Sequence, residues 1–176
     1  MKDSKYDGEL MFESYLFSPI RMKWIKGKRM KKIKGCIFCR IAKGDKSIPQ
    51  KILYKDNNLI VLMNMFPYNT GHLQVIPTKH VENFDELSDE EIEKLFVMVK
   101  KCVKLLKKVL KPKGFNIGIN LGGDVAGASI GHFHIHIVPR FERDFGFMEV
   151  VGKTKVMPCD IESVYKELKK EIKILE

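Results

Sequence analysis

Apolar positions recur at two different periods along the chain, and the change of period separates strands from helices. Residues 51–54 and 59–64 are short β-type runs. They flank Lys55-Asp56-Asn57-Asn58, whose side chains favour a turn, so the pair predicts two strands joined by a tight connection. The unbroken apolar stretch from Leu59 to Met63 is the pattern of a strand covered on both faces. Residues 66–71 read as a turn and 72–76 as a strand stopped by Pro77. Over 88–110 the period lengthens. Ile92, Leu95, Phe96, Val99, Cys102, Val103, Leu106, Val109 and Leu110 recur at three- and four-residue spacings and predict one apolar helix face. Ser88 with Glu91 fits a capping box, Pro112 and Gly114 terminate the helix, and Cys102 reads as a core thiol. A second helix begins near Asp160 with Val164, Leu168 and Ile172 on one face, and 115–121 and 132–138 read as strands. Strands joined by short turns, with two main helices and no βαβ alternation, predict an α+β fold built on an antiparallel meander.

The length, 176 residues, fits one domain with a real core. Residues 1–15 have no clear period and read as a loose tail. The expected domain covers 16–176: a basic segment at 16–35, a core at 36–140, and a C-terminal segment with its helix at 141–176. Apolar residues make up 44% and charged residues 31%, an ordinary globular composition. No apolar run is long enough to span a membrane and no secretory leader is evident, so a cytoplasmic location is expected. Four cysteines without an export signal favour metal binding or burial over disulfides.

The net charge of +10 admits a polyanionic partner, either a phosphate-rich small molecule or nucleic acid, or simply a solvated Lys-rich surface. Leu16, Phe17, Pro19, Ile20, Met22, Trp24 and Ile25 precede a dense run of Lys and Arg. That stretch reads either as a segment packed on another surface or as a solvated linker. It carries no stacking-platform motif, so nucleic-acid binding is only the rival to a small-molecule function.

Chemistry concentrates in the histidines. The chain has 5 of them, and three fall in His132-Phe133-His134-Ile135-His136. At strand period two, the three imidazoles share one face while Phe133, Ile135 and Ile137 face the core. Just upstream, Asn120-Leu121-Gly122-Gly123-Asp124-Val125-Ala126-Gly127-Ala128-Ser129 is glycine-rich and able to turn backbone N–H groups toward an anion. An anion-binding loop beside a row of imidazoles is equipment for phosphoryl-group chemistry. Cys36-Ile37-Phe38-Cys39 holds two thiols at chelating spacing; a reduced thiol pair or a redox dithiol fits it too.

His132 to Val138 resembles the His-φ-His-φ-His-φ-φ signature of the histidine-triad (HIT) superfamily. The likeness extends to the Cys-x-x-Cys segment and to Gly71-His72-Leu73-Gln74-Val75-Ile76-Pro77-Thr78-Lys79-His80. Leu16-Phe17-Ser18-Pro19-Ile20-Arg21-Met22 and Pro67-Tyr68-Asn69-Thr70-Gly71-His72 look like the branch of diadenosine tetraphosphate phosphorylases and Fhit-like nucleotide hydrolases. Phe141, and the segment from Arg143 to Met148, depart from that branch, and Ala128 stands where other branches often have Gln.

The resemblance implies a HIT-like fold and a nucleotidyl hydrolase or transferase working through a nucleotidyl-histidine intermediate resolved by phosphate or water. His134 would be the nucleophile, with His136 and Ser129 assisting. Asn64, His72, Asn120, Gly127, Ala128, Ser129 and His136 would bind the nucleotide. A neutral imidazole can attack phosphorus if its other nitrogen is held as a donor to a carbonyl. The resemblance also implies a structural Zn2+ on Cys36, Cys39, His80 and His132, and a homodimer. A phosphoramidase acting on adenylylated amines is the enzymatic alternative, a basic nucleic-acid-binding protein the non-enzymatic one.

Overall fold

The structure, a computed structural model, describes residues 14–15, 34–126, 130–142, 144, 146–152 and 154–176. The basic run up to residue 33 and the loop residues Gly127, Ala128 and Ser129 therefore lie outside the described residues. A short strand, β1 (Ser14–Tyr15), precedes helix α1 (Ile37–Ala42). Strands β2 (Ile52–Lys55), β3 (Leu59–Met63) and β4 (Leu73–Pro77) follow, then helix α2 (Asp89–Leu110), β5 (Gly114–Ile119) and β6 (Ile135–Arg140). The chain closes with α3 (Phe147–Val150), β7 (Thr154–Lys155) and α4 (Ile161–Lys170). β2 to β6 form one antiparallel sheet in the order β2-β3-β4-β6-β5. The chain thus has the α+β class and the antiparallel sheet that the sequence predicts, but only β2-β3-β4 is a meander: α2 carries the chain across to β5, and β6 returns between β4 and β5.

β3 is buried along its whole length, as its unbroken apolar run requires. Leu59, Val61, Met63, Leu73, Val75, Phe133, Ile135 and Ile137 pack on one side with the α2 and α4 residues Leu95, Cys102, Leu106 and Leu168. On the other side Ile60, Leu62 and Ile76 pack with Phe38, Ile41 and Ile48. That second face is the functional one, because His136 pairs with Gln74 across β6 and β4 and shares their alternation.

Several boundaries differ from the sequence expectation. In α2 the buried set is Leu95, Met98, Val99, Cys102, Leu105 and Leu106, and Phe96 is 44% exposed. The core stripe is the narrow one, and Phe96 falls one residue outside it. Ser88 caps α2 with Glu91 as expected, but Lys111 ends the helix in the left-handed region (φ 51°) and Gly114 opens β5 instead. The last sheet strand begins at Ile135 and not at residue 132. β4 pairs with β6 only from Leu73 to Val75, and before that point Phe133 donates its N–H to the Val81 carbonyl at 2.7 Å. Within the stretch read as a loose tail, Ser14–Tyr15 pairs in parallel with Thr154–Lys155.

Candidate active site and metal centre

Two clusters meet on the histidine face. At its entrance Cys36, at the N-cap of α1, and Cys39, one turn on, point at the start of the histidine segment. Cys36 Sγ lies 3.2 Å from His132 Nδ1, and Cys39 Sγ lies 3.3 Å from His80 Nδ1 and 3.6 Å from His132 Nδ1. The two Nδ1 atoms are 3.2 Å apart. All four donor atoms fall within 4.8 Å of one another. A tetrahedral ion with ordinary Zn–N and Zn–S bonds would space its ligands by about 3.3 Å (N to N) and about 3.6 Å (N to S). The observed separations match those edges.

The outer nitrogens point to the same conclusion. His132 Nε2 donates to the Pro77 carbonyl at 3.0 Å, and His80 Nε2 faces Glu82 Oε1 at 3.6 Å. His132 therefore keeps an Nδ1 lone pair aimed inward, and a carboxylate stands behind the ring of His80, the kinds of second partner found on metal-binding histidines. Burial and the neighbouring Cys36 push the Cys39 thiol up, with only Lys43 opposing. Deprotonating both thiols side by side calls for a cation. Cys36, Cys39, His80 and His132 can therefore hold a metal ion, as the sequence expectation had them.

Further along, His134 Nδ1 donates to the backbone carbonyl of His132 at 2.7 Å. That bond fixes the tautomer and leaves the Nε2 lone pair available. His134 is 5% exposed, and burial lowers its pKa. It is flanked by Phe38 at 5.3 Å and by His136 at 4.6 Å between ring centroids.

His136 belongs to a second chain of hydrogen bonds whose direction can be read off. The Tyr68 backbone N–H donates to His72 Nδ1 at 3.2 Å, so the His72 proton sits on Nε2. His72 Nε2 lies 2.9 Å from His136 Nδ1 and must donate to it. The His136 proton is therefore on Nε2, and that atom is buried with no partner among the described residues. Burial, reinforced by the charges of its histidine neighbours, lowers His72 to about 3, and burial with His134 lowers His136 to about 4. Both rings are neutral at physiological pH, as this donor chain requires.

The remaining expected residues fall as follows. Asn64 directly follows β3, and its Oδ1 accepts the Phe66 N–H at 2.8 Å, so the turn uses its side-chain acceptor. Asn120 and His134 each lie one residue beyond the Ile119–Ile135 pair that ends the β5–β6 ladder. Sequence reasoning did not find Phe38 as the ring against His134, nor Tyr68 as the donor that sets His72. Nor did it find Asn69, whose carbonyl accepts the His72 N–H at 3.2 Å and whose side chain bonds Pro139 O at 2.9 Å and Asp144 Oδ1 at 3.0 Å. The Pro67-Tyr68-Asn69 motif was visible, but its contacts lie some seventy residues away along the chain.

A row of imidazoles with one donor chain and one metal-type tetrad, carried on a five-stranded antiparallel sheet, defines a histidine-triad protein. The HIT domain family model matches residues 45–143, more than half of the chain, and the chain belongs to that family. It is 43% identical over 134 residues to an uncharacterised HIT-like protein of Methanocaldococcus jannaschii, covering 76% of this chain and 98% of the relative. It is 39% identical over 97 residues to an AP-4-A phosphorylase of Mycobacterium tuberculosis, covering 55% of this chain and 50% of that protein. The fold superposes on a Zn-bound histidine triad family protein from Mycobacterium smegmatis with a TM-score of 0.66 and 27% identity, over 80% of this chain and 95% of that one.

Proposed function

We propose that this protein is a nucleotidyl transferase or hydrolase that cleaves dinucleoside polyphosphates such as diadenosine tetraphosphate through a covalent intermediate on His134. The observation that carries the reading is the pair of fixed tautomers. His134 presents a lone pair, and its neighbour His136 presents an unpartnered N–H. In the first step a bond forms from His134 Nε2 to the α-phosphorus while the P–O bond to the outgoing nucleotide breaks. The outgoing polyphosphate leaves as an anion steadied by the His136 N–H. In the second step water or inorganic phosphate attacks the same phosphorus, the P–N bond breaks, and His134 is restored. Splitting one displacement into two is the benefit of a nucleophile that neither solvent nor phosphate can match in position. On this reading Asn64, His72, Asn120, Gly127, Ala128 and Ser129 complete the nucleotide site, with Ser129 and the backbone of 127–129 offering donors to the phosphate oxygens.

The metal is read as Zn2+ on Cys36, Cys39, His80 and His132. Cys36, Cys39, His80 and His132 would hold it with four protein ligands, so it would supply structure and no open coordination position. Cys36 and Cys39 would then tie α1 to the start of the histidine segment and help keep Phe38 against His134. We take residues 16–176 as one catalytic unit acting as a cytoplasmic homodimer. No helix among the described residues is long and apolar enough to cross a membrane.

The test is turnover of diadenosine tetraphosphate with and without inorganic phosphate. ADP plus ATP identifies phosphorolysis and AMP plus ATP hydrolysis. Failure to cleave it, together with cleavage of an adenosine phosphoramidate, would move the assignment to adenylylated amines.

A further inference from the structure

The histidine row is closed by an aromatic ring at each end, and the two rings differ. Phe38 sits against His132 and His134 and is 4% exposed. Tyr68 sits against His72 and His136 and is 51% exposed. Tyr68 lies at 4.8 Å from the His72 ring with a tilt of 34°, and at 5.8 Å from the His136 ring with a tilt of 30°. These tilts are small enough that one π-face covers the two imidazoles while the other turns outward. Half exposure of a tyrosine whose inner face is fully used means that the outer face carries the open area.

The ring is also held in place. The Tyr68 backbone N–H is spent on His72, and the next residue, Asn69, is tied to Pro139 and Asp144. Gly71 is locked nearby: its φ is +79°, and a Cβ there would meet Leu110 Cδ1 at 2.4 Å. A fixed, half-open aromatic face loses little freedom when a second ring stacks on it. Its neighbour, His136, carries the buried Nε2–H that has no partner among the described residues.

We propose that the outward face of Tyr68 stacks on the base of the outgoing nucleoside, making this residue the determinant that favours dinucleoside over mononucleoside polyphosphates. The inference rests on the nucleotidyl-transfer reading above and deepens it. An in-line displacement puts the outgoing chain on the far side of phosphorus from His134, and Tyr68 packs on His136 and His72. The flexible polyphosphate then lets the second base fold back onto the ring. The stack would run base, Tyr68, imidazole.

The experiment compares diadenosine tetraphosphate with adenosine tetraphosphate, which has the same phosphate chain and no second base. Tyr68→Leu keeps apolar bulk over the imidazoles and removes the π-face; Tyr68→Phe keeps both. The ratio of kcat/KM for the two substrates is expected to fall about tenfold in Tyr68→Leu and to stay within about twofold of wild type in Tyr68→Phe. The ratio of Kd values by calorimetry should move in parallel. An unchanged ratio in Tyr68→Leu, with both substrates weakened alike, overturns the proposal and leaves Tyr68 a support for the imidazoles. If wild-type protein cleaves neither compound, the transfer reading fails, and the Kd ratios still decide whether the ring binds a second base.

Discussion

His132 and His136 stand on the same face of the same segment, both buried, and their surroundings give them opposite tasks. His132 donates outward to the Pro77 carbonyl and turns its Nδ1 lone pair toward two thiols and a second imidazole. His136 accepts a hydrogen bond from His72 at Nδ1 and leaves its own Nε2–H without a partner among the described residues. One end of the row is built to accept a cation and the other to donate to an anion. Between them, among the described residues, His134 makes its one side-chain hydrogen bond to the backbone carbonyl of His132. An imidazole has no fixed role in a site. The partner of its rear nitrogen decides whether the front nitrogen is a base, a ligand or a donor.

The comparison can be broken at its centre first. His134→Ala should lower turnover by roughly four orders of magnitude or more while metal content stays at wild-type level. Substantial residual activity would place the nucleophile elsewhere. The two ends should then come apart. Cys39→Ala should reduce bound zinc from about one equivalent per chain to none and lower the unfolding midpoint by at least about 5 °C. His136→Ala should keep its zinc and lose roughly 10²- to 10³-fold in rate. Metal analysis, thermal denaturation and steady-state assays on the same two preparations check this, and loss of zinc in His136→Ala would erase the distinction.

Acid probes the donor end through His72. His72 is lowered from 6.5 to about 3 by burial, so the unfolded chain binds a proton below pH 6.5 that the folded chain refuses until about pH 3. The stability this withholding contributes is complete above pH 6.5 and is lost as pH falls toward 3. In a Cys36→Ser/Cys39→Ser background, which removes metal release from the comparison, denaturation at pH 7 and pH 4 should differ by about 3 kcal/mol more with His72 than with His72→Gln. Equal slopes would mean that His72 is not held neutral. The smallest effect is expected at the metal end. Glu82→Gln removes the carboxylate behind His80 and should weaken zinc binding about tenfold in a chelator competition. Unchanged affinity would show that Glu82 does not orient the ligand.

Periodicity carried most of the architecture. The stripe of α2, the Ser88 cap, the buried run of β3 and the start of α4 at Asp160 all depend on local spacing, which a sequence displays directly. The alternation of the histidines against Phe133, Ile135 and Ile137 was legible for the same reason, and the Cys36–Cys39 spacing pointed at a chelate. The misses are long-range. Phe96 fits the helical period as well as Met98 does, and only the neighbouring layer decides which is covered. The direction of the His72–His136 hydrogen bond depends on a backbone N–H in a turn, and the grip of Asp144 on Asn69 joins segments that no local pattern relates.

The most direct measurement is mass analysis of wild-type protein quenched during turnover of diadenosine tetraphosphate. The account predicts an adenylyl group on the ring of His134 that forms and decays at rates consistent with kcat. A nucleotidyl group on any other residue, or turnover with no covalent adduct at any time, would contradict it.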